Sequence, residues 1–329
     1  MTKGSTNRMC PMKKTRVSDL LGIQYPILQG GMFWLATAEL AAAVSNAGAL
    51  GVISPHAGME RDGDPADNLR RQITRAKELT EKPWAVNLLL DLDVTGILTD
   101  VMLQEGVRIV VTAAGSPRLY TDLFRAEKIK VLHLVSSVKQ ARIAESCHVD
   151  AVIAGGVESA ARLGYDELPL FSLLPQVADA VSIPVIASGG IVDARGLVAA
   201  LALGAEGVQL GTRFVAVDEN IAHPAYKQAI VQAQDTDTVI TTRKFMPTRS
   251  LKTEFSSHLL ELEASGASTE AAREFLGRNR PRRGQIEGDL VNGELYCGTS
   301  AGLIKEILPA VKVVQGLVQG YGEIIKRVI

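Results

Sequence analysis

From Arg16 onward, short apolar runs alternate with amphipathic stretches at regular spacing. Eight runs stand out: 26–31, 49–54, 84–90, 108–113, 131–135, 151–156, 184–190 and 207–212. Most are β-branched and lack polar alternation, as expected of parallel strands buried on both faces. Helical spacing fills the gaps at 38–44, 68–79, 173–181 and 197–203. Pro175 is expected in the first turn of the third of these helices. Gly204 follows the last as a C-terminal cap.

Eight strand–helix units within about 200 residues predict an α/β chain folded as a (β/α)8 TIM barrel. A doubly wound open sheet is the alternative. The barrel is preferred because the count reaches eight and the glycine-rich strand ends fall late, where many barrels hold phosphate. After Phe214 the pattern breaks, and 221–290 reads as helical and charged, without strands. The expected layout is a flexible tail at 1–15 and a barrel at 16–220 completed by 295–329. A helical, substrate-covering insertion at 221–294 completes it. The basic stretch 278–283 is either a solvated loop or a contact for a nucleotide or phosphopantetheine group.

Composition narrows the function classes. The 329 residues are 47% hydrophobic and 22% charged, too apolar for a disordered chain. Thirty-five Lys and Arg against 36 Asp and Glu leave a net charge of -1, which does not suggest a nucleic-acid partner. Cys10, Cys147 and Cys297 form neither a disulfide framework nor a zinc-binding cluster, so a cytoplasmic protein is expected. No membrane span or signal peptide is read from the sequence.

The chemistry concentrates at strand ends. Ser188-Gly189-Gly190 closes the seventh run, and Gln209-Leu210-Gly211-Thr212 closes the eighth. Glycines let backbone N–H groups approach a phosphate closely, so two such turns on adjacent strands predict a phosphate cup. Gln29-Gly30-Gly31-Met32 brings bare backbone to the same face. Asn87, in the third run, adds an amide that both donates and accepts.

These segments resemble those of the FMN-dependent nitronate monooxygenases and enoyl-acyl-carrier-protein reductase II. Gln29 to Trp34 is similar to the family's QGGMxW opening, and Pro184 to Asp193 to its PVIASGGIxD segment. Ala200 to Ala205 with Gln209 to Phe214 resembles LALGA…GTRF, and Gly298 to Gly302 its C-terminal AGxxxGL. The resemblance spans about residues 16–325. It implies FMN, with the phosphate on Gly189, Gly190, Gly211 and Thr212. The ring would lie over Gly30, Gly31 and Met32, with Asn87 at its polar edge and Ser188 toward the ribityl or phosphate end. Gln209, Leu210 and Glu158 complete the expected cofactor-binding set.

One departure stands out. Where the family carries a histidine in E-x-G/A-G-H-x-G, this chain reads Glu158-Ser159-Ala160-Ala161-Arg162-Leu163-Gly164. Arginine stays protonated and cannot serve as a base near pH 7, although it can bind an anion. Three outcomes are open for Arg162: it binds an anionic nitronate, it stabilises an enolate oxygen, or it is a surface residue and the family turnover is lost. His133 is the best substitute for the missing histidine, while Tyr296 is another proton donor in principle. His223 in Ala222-His223-Pro224 is expected only to cap a helix. The expected activity is oxidation of alkyl nitronates with O2. The alternative is NAD(P)H-dependent reduction of an enoyl thioester or quinone. A flavin-binding protein without turnover is the third reading. The expected partners are a small-molecule or acyl-thioester substrate, without nucleic acid or membrane; a homodimer is left open.

Overall fold

The computed structural model describes residues 12–277 and 279–328. The barrel wall is built from β1 (Ile27–Gln29), β2 (Gly51–Ile53), β3 (Trp84–Leu89), β4 (Ile109–Ala113), β5 (Lys130–Val135) and β6 (Ala151–Gly155). After the short outlying β7 (Ala161–Arg162) it continues with β8 (Val185–Ser188) and β9 (Gly207–Leu210). These last two are the seventh and eighth apolar runs. The lateral order is β1-β9-β8-β6-β5-β4-β3-β2, with parallel pairing throughout.

The ring closes between β1 and β2 at the Leu28–Leu50 bridge. Gln29 reinforces that seam. Its buried side-chain amide donates to the Val52 carbonyl at 2.9 Å and accepts from the Val52 N–H at 3.1 Å. A side chain thus satisfies backbone groups that a longer ladder would otherwise pair.

Helices α2 (Ala38–Asn46), α3 (Pro65–Leu79), α4 (Thr95–Gln104), α5 (Thr121–Ala126), α6 (Val138–Ser146), α7 (Leu170–Ala180) and α8 (Ala194–Ala202) alternate with the strands. The remaining place in the outer ring is filled from far along the chain. Helix α14 (Ala310–Val328) packs against α8 and α2, supplying the eighth barrel helix. Helix α1 (Arg16–Leu21) seals the opposite end from the ligand face. Its Val17 and Leu21 join Leu28, Val52, Leu132, Ile153 and Ile186 in one buried cluster. Thr15, the last residue of the expected flexible tail, caps α1 and donates to the Glu206 carbonyl at 2.6 Å, so it is anchored. Residues 1–11 of that tail, including Cys10, lie outside the described residues.

Two expectations are corrected. The insertion is not wholly helical. Between α9 (Thr212–Val215) with α10 (Pro224–Gln232) and the later helices it carries β10 (Thr238–Thr241) and β11 (Thr248–Leu251). These pair antiparallel, and β11 also pairs with β7. Each of the two insertion strands is four residues long and threonine-bearing, so a search for apolar runs passes over them. Helices α11 (Glu254–Ala264), α12 (Thr269–Leu276) and α13 (Arg280–Gln285) complete the insertion. Secondly, α7 begins at Leu170, which puts Pro175 inside the helix rather than in its first turn. The earlier start comes from a tertiary cap: both carboxylate oxygens of Glu158 accept from the Leu170 N–H at 2.9 Å.

Candidate active site

The inner residues of α1 and the strands fill the lower barrel, leaving a cavity of about 1380 Å³ at the C-terminal ends of the strands. Of the expected site residues, Gly30, Gly31, Met32, Asn87, His133, Glu158 and Arg162 line it. So do Ser188, Gly189, Gly190, Gln209, Gly211 and Thr212. Leu210 does not: its side chain is 1% exposed and packs in the main core around the barrel wall. Strand alternation turns it away from the cavity, and only its carbonyl reaches this end, accepting from Gly30 N–H at 2.8 Å.

Gly31 and Asn87 share one space. A Cβ built on Gly31 would lie 2.4 Å from Asn87 Cγ, so only bare backbone fits beside that amide. Asn87 is 8% exposed, and among the described residues its side-chain amide has no intramolecular hydrogen-bond partner. A buried amide facing a cavity is a ready hydrogen-bonding site for a ligand.

A second cradle lies at the ends of β8 and β9. Gly189 and Gly190 adopt positive φ of 108° and 70°, a conformation suited to glycine. A Cβ on Gly189 would approach Ser159 Oγ to 2.7 Å, whereas one on Gly211 would meet nothing within 4 Å. Ser159 Oγ is buried and has no hydrogen-bond partner. The C-terminal turn completes the cup: Gly298 N–H donates to Thr212 Oγ1 at 3.0 Å, and Ser300 Oγ donates to the Gly190 carbonyl at 2.7 Å. Bare glycine turns with an orphaned hydroxyl fit a phosphate group. In the sequence Ser159 is only part of the segment leading to Arg162; its neighbourhood to Gly189 arises from the fold.

The N-terminus of α8 is capped by Asp193, whose carboxylate accepts from Arg195 N–H at 2.9 Å. Glu158 lines the cavity, and both of its carboxylate oxygens accept from the one Leu170 N–H.

The two residues expected to act in catalysis meet different fates. Arg162 lies in β7, and its guanidinium Nη1 donates to Asp91 Oδ2 at 2.7 Å. The preceding Ala161 takes a φ of 62°, the left-handed region in which the family has glycine. His133 sits within β5 rather than at its end, 5% exposed. Its Nδ1 lies 2.8 Å from Thr112 Oγ1, which also reaches the Leu132 carbonyl at 3.3 Å. With the hydroxyl proton on that carbonyl, Nδ1 carries the ring proton and Nε2 keeps the lone pair. Burial lowers the His133 pKa to about 4, so the ring is neutral near pH 7 and a weak base.

Other charged groups are accounted for. Arg280 and Arg283 do not line the cavity. Arg280 donates to the carbonyls of Leu276, Asn292 and Phe275, while Arg283 pairs with Asp289. Arg282 pairs with Glu287, and Arg278 lies outside the described residues. Of the two readings of 278–283, these partners accord with the solvated segment rather than with a nucleotide or phosphopantetheine contact. His223 caps α10, accepting from Ala225 N–H at 3.2 Å. His56 is a residue the sequence did not single out: it stacks on Phe33 with centroids 4.0 Å apart, and burial lowers its pKa to about 4. Among the described residues no cluster of His, Cys, Asp and Glu could hold a metal ion, and no helix is long and apolar enough to cross a membrane.

A barrel with a phosphate-type cup beside a wide cavity at its strand ends defines the class of barrels built for a phosphate-bearing ligand. The family model described as nitronate monooxygenase matches residues 14–101 and 94–320. The chain belongs to the nitronate monooxygenase family, and it is a flavin-dependent oxidoreductase. It is 34% identical to a probable nitronate monooxygenase of Staphylococcus saprophyticus, over 95% of this chain and 99% of that one. It is 38% identical to the (3aS,4S,5R,7aS)-5-hydroxy-7a-methyl-1-oxo-octahydro-1H-indene-4-carboxyl-CoA dehydrogenase of Mycobacterium tuberculosis, over 75% of this chain and 68% of the relative. Among solved structures, FabK from Thermotoga maritima superposes with a TM-score of 0.90 at 42% identity, covering 96% of this chain and 99% of that chain.

Proposed function

We propose that this protein binds FMN and uses NAD(P)H to reduce an α,β-unsaturated acyl thioester. The residues present suit the cofactor. Gly189, Gly190, Gly211, Thr212 and Ser159 would hold its phosphate, Gly30 to Met32 would underlie the ring, and Asn87 would meet its polar edge. When bound, FMN supplies two-electron hydride chemistry. Every other task falls to the chain: holding the substrate, excluding water and managing one proton.

The observation that carries the choice of substrate is the Arg162–Asp91 pair. An arginine already facing a carboxylate adds no net positive charge, so the case for an anionic substrate weakens. The likeness to FabK, an enoyl-acyl-carrier-protein reductase II, runs the whole length of the chain, and one curated relative acts on a coenzyme A thioester. Nitronate oxidation remains the second reading. The family model and the position of Arg162 on the cavity wall favour it.

Anaerobic stopped-flow absorbance tests the choice. The protein is mixed in turn with NADH, NADPH and propyl nitronate, and the flavin band near about 450 nm is followed. Bleaching by a nicotinamide, with recovery on adding crotonyl thioester, is expected. Bleaching by the nitronate alone would overturn the thioester reading.

A further inference from the structure

Reduction of an unsaturated thioester needs a proton as well as a hydride. The family histidine is absent, Arg162 cannot release a proton near pH 7, and His133 is a neutral ring of low basicity. Of the three phenols on the cavity wall among the described residues, Tyr165 donates to the Phe245 carbonyl and Tyr226 to the Tyr296 carbonyl, which leaves the hydroxyl of Tyr296. Tyr296 lines the cavity close to the C-terminal turn, on a segment that runs along β11 through a Ser250–Tyr296 bridge. Its position is fixed from behind: the Tyr226 hydroxyl donates to the Tyr296 carbonyl, and Leu251 N–H donates to the Leu295 carbonyl at 2.8 Å.

Two residues back, Glu294 is 4% exposed. It forms no ion pair among the described residues, because the nearby Arg280 guanidinium is occupied by three backbone carbonyls and lies 4.7 Å from the Phe255 ring centroid. Glu294 and Tyr296 stand two positions apart on the extended segment beside β11, so their side chains leave on the same side, and the two groups influence each other's charge. Burial raises Glu294 to about 7, with Tyr296 and Arg280 pulling the other way, so a substantial share of it keeps its proton at neutral pH. Around Tyr296 the other facing groups are Arg162 on the β7 side and the Tyr226 phenol on the α10 side. Burial holds the Tyr296 phenol well above its ordinary value, so it keeps its proton until a strongly basic enolate carbon forms beside it. The neighbouring Cys297 thiol, which burial pushes up to about 12 against the pull of Arg249, is enclosed and does not line the cavity.

We propose that Tyr296 donates the proton in this cavity and that Glu294 replenishes it, in place of the histidine missing at Arg162. The inference rests on the thioester reading. The hydride, derived from the reduced nicotinamide, reaches the β-carbon and the C=C π electrons move to the α-carbon as an enolate. The Tyr296 O–H bond then breaks as the α C–H bond forms. The phenolate takes the Glu294 carboxyl proton, and the carboxylate regains one from solvent. The nicotinamide is oxidised and the alkene is reduced, with one hydride and one proton consumed.

The test separates the two half-reactions. Tyr296→Phe should leave flavin content and bleaching by the nicotinamide within about twofold of the parent. It should slow reoxidation by crotonyl thioester by about 10²- to 10⁴-fold, the usual size of general acid catalysis. Glu294→Gln should slow the same step and remove its pH dependence near neutrality. Infrared titration of the Glu294 carboxyl, assigned by its loss in Glu294→Gln, gives a readout independent of turnover. Its midpoint should move upward in Tyr296→Phe, because that variant removes the phenol that favours the carboxylate form. Reoxidation of Tyr296→Phe at the parent rate, or a Glu294 midpoint that Tyr296→Phe leaves in place, would overturn the relay. Failure of nicotinamide to bleach the parent protein would instead sink the thioester reading. The infrared midpoint would still decide whether Tyr296 and Glu294 are coupled.

Discussion

Arg162 Nη1 sits 2.7 Å from Asp91 Oδ2, joining the segment after β6 to the end of β3, three strands away around the barrel. Both side chains are 43% exposed. A pair this exposed contributes about 0.2–1 kcal/mol to stability at most. Its larger consequence is chemical, since it neutralises the cation that replaces the family histidine.

Removing Asp91 should therefore change which ligands bind without unfolding the barrel. Asp91→Asn frees the Arg162 guanidinium, and propyl nitronate should bind about tenfold more tightly, equivalent to about 1.4 kcal/mol. The affinity for a neutral enoyl thioester should be unchanged. Equilibrium titration of the flavin spectrum with each ligand, alongside thermal melts of both proteins, checks this. Equal nitronate affinity in variant and parent would show that the pair does not govern anion binding.

The cup at the ends of β8 and β9 yields a prediction in which stability and binding part company. Ser159 Oγ is buried without a partner, so Ser159→Ala should leave the cofactor-free protein as stable as the parent or slightly more so. FMN affinity should fall, by about 1.5–3 kcal/mol if that hydroxyl donates to a charged phosphate. Gly189→Asp should abolish FMN retention outright, because it sets a carboxylate at a left-handed glycine against the phosphate position. Ultrafiltration followed by flavin fluorescence measures both. Full flavin occupancy in folded Gly189→Asp protein would remove the phosphate from this cup.

His133 should make the fold acid-sensitive. Its pKa in the folded chain is about 4, below the ordinary value of 6.5, so the unfolded chain binds the extra proton between those values. Stability from this group is complete above about pH 6.5 and is lost as pH falls toward 4, by about 3 kcal/mol in all. His133→Gln keeps a neutral polar side chain and should flatten that dependence. Urea melts between about pH 4 and 8 on both proteins compare the slopes. His56, lowered to the same value, should leave a second acid-sensitive component in the variant.

Glu294 should act in the opposite sense. Its folded pKa of about 7 lies above the ordinary 4.5, so the folded chain binds the extra proton. Stability then declines as pH rises from about 4.5 through 7, by about 3 kcal/mol, because ionising the buried carboxyl is easier in the unfolded chain. Glu294→Gln should gain relative stability at alkaline pH and little at pH 5. The same urea series run up to about pH 9 provides the check; parallel curves for variant and parent would place Glu294 in a more polar setting than the structure shows.

The barrel and most of the residues around its mouth are legible in the chain alone. Eight buried apolar runs separated by helical spacing leave few other folds, since a strand covered on both faces must be apolar on both. The glycines of 189–190 and 30–31 were legible because backbone conformation and close approach are local demands on residue type. The pairing of side chains emerges only in the folded chain. Arg162 and Asp91 are 71 positions apart, and no periodicity marks a residue as the one that will face another across a barrel. The two-residue strand β7 exists only because β11 lies beside it, and α14 becomes the eighth barrel helix only because α8 and α2 leave a groove for it. Ser159 is an ordinary loop serine until Gly189 folds over it, and Glu294 is an ordinary acid until α13 of the insertion packs against it. Local sequence sets backbone preference and burial, whereas pKa and hydrogen-bond satisfaction depend on what the fold brings within a few ångströms.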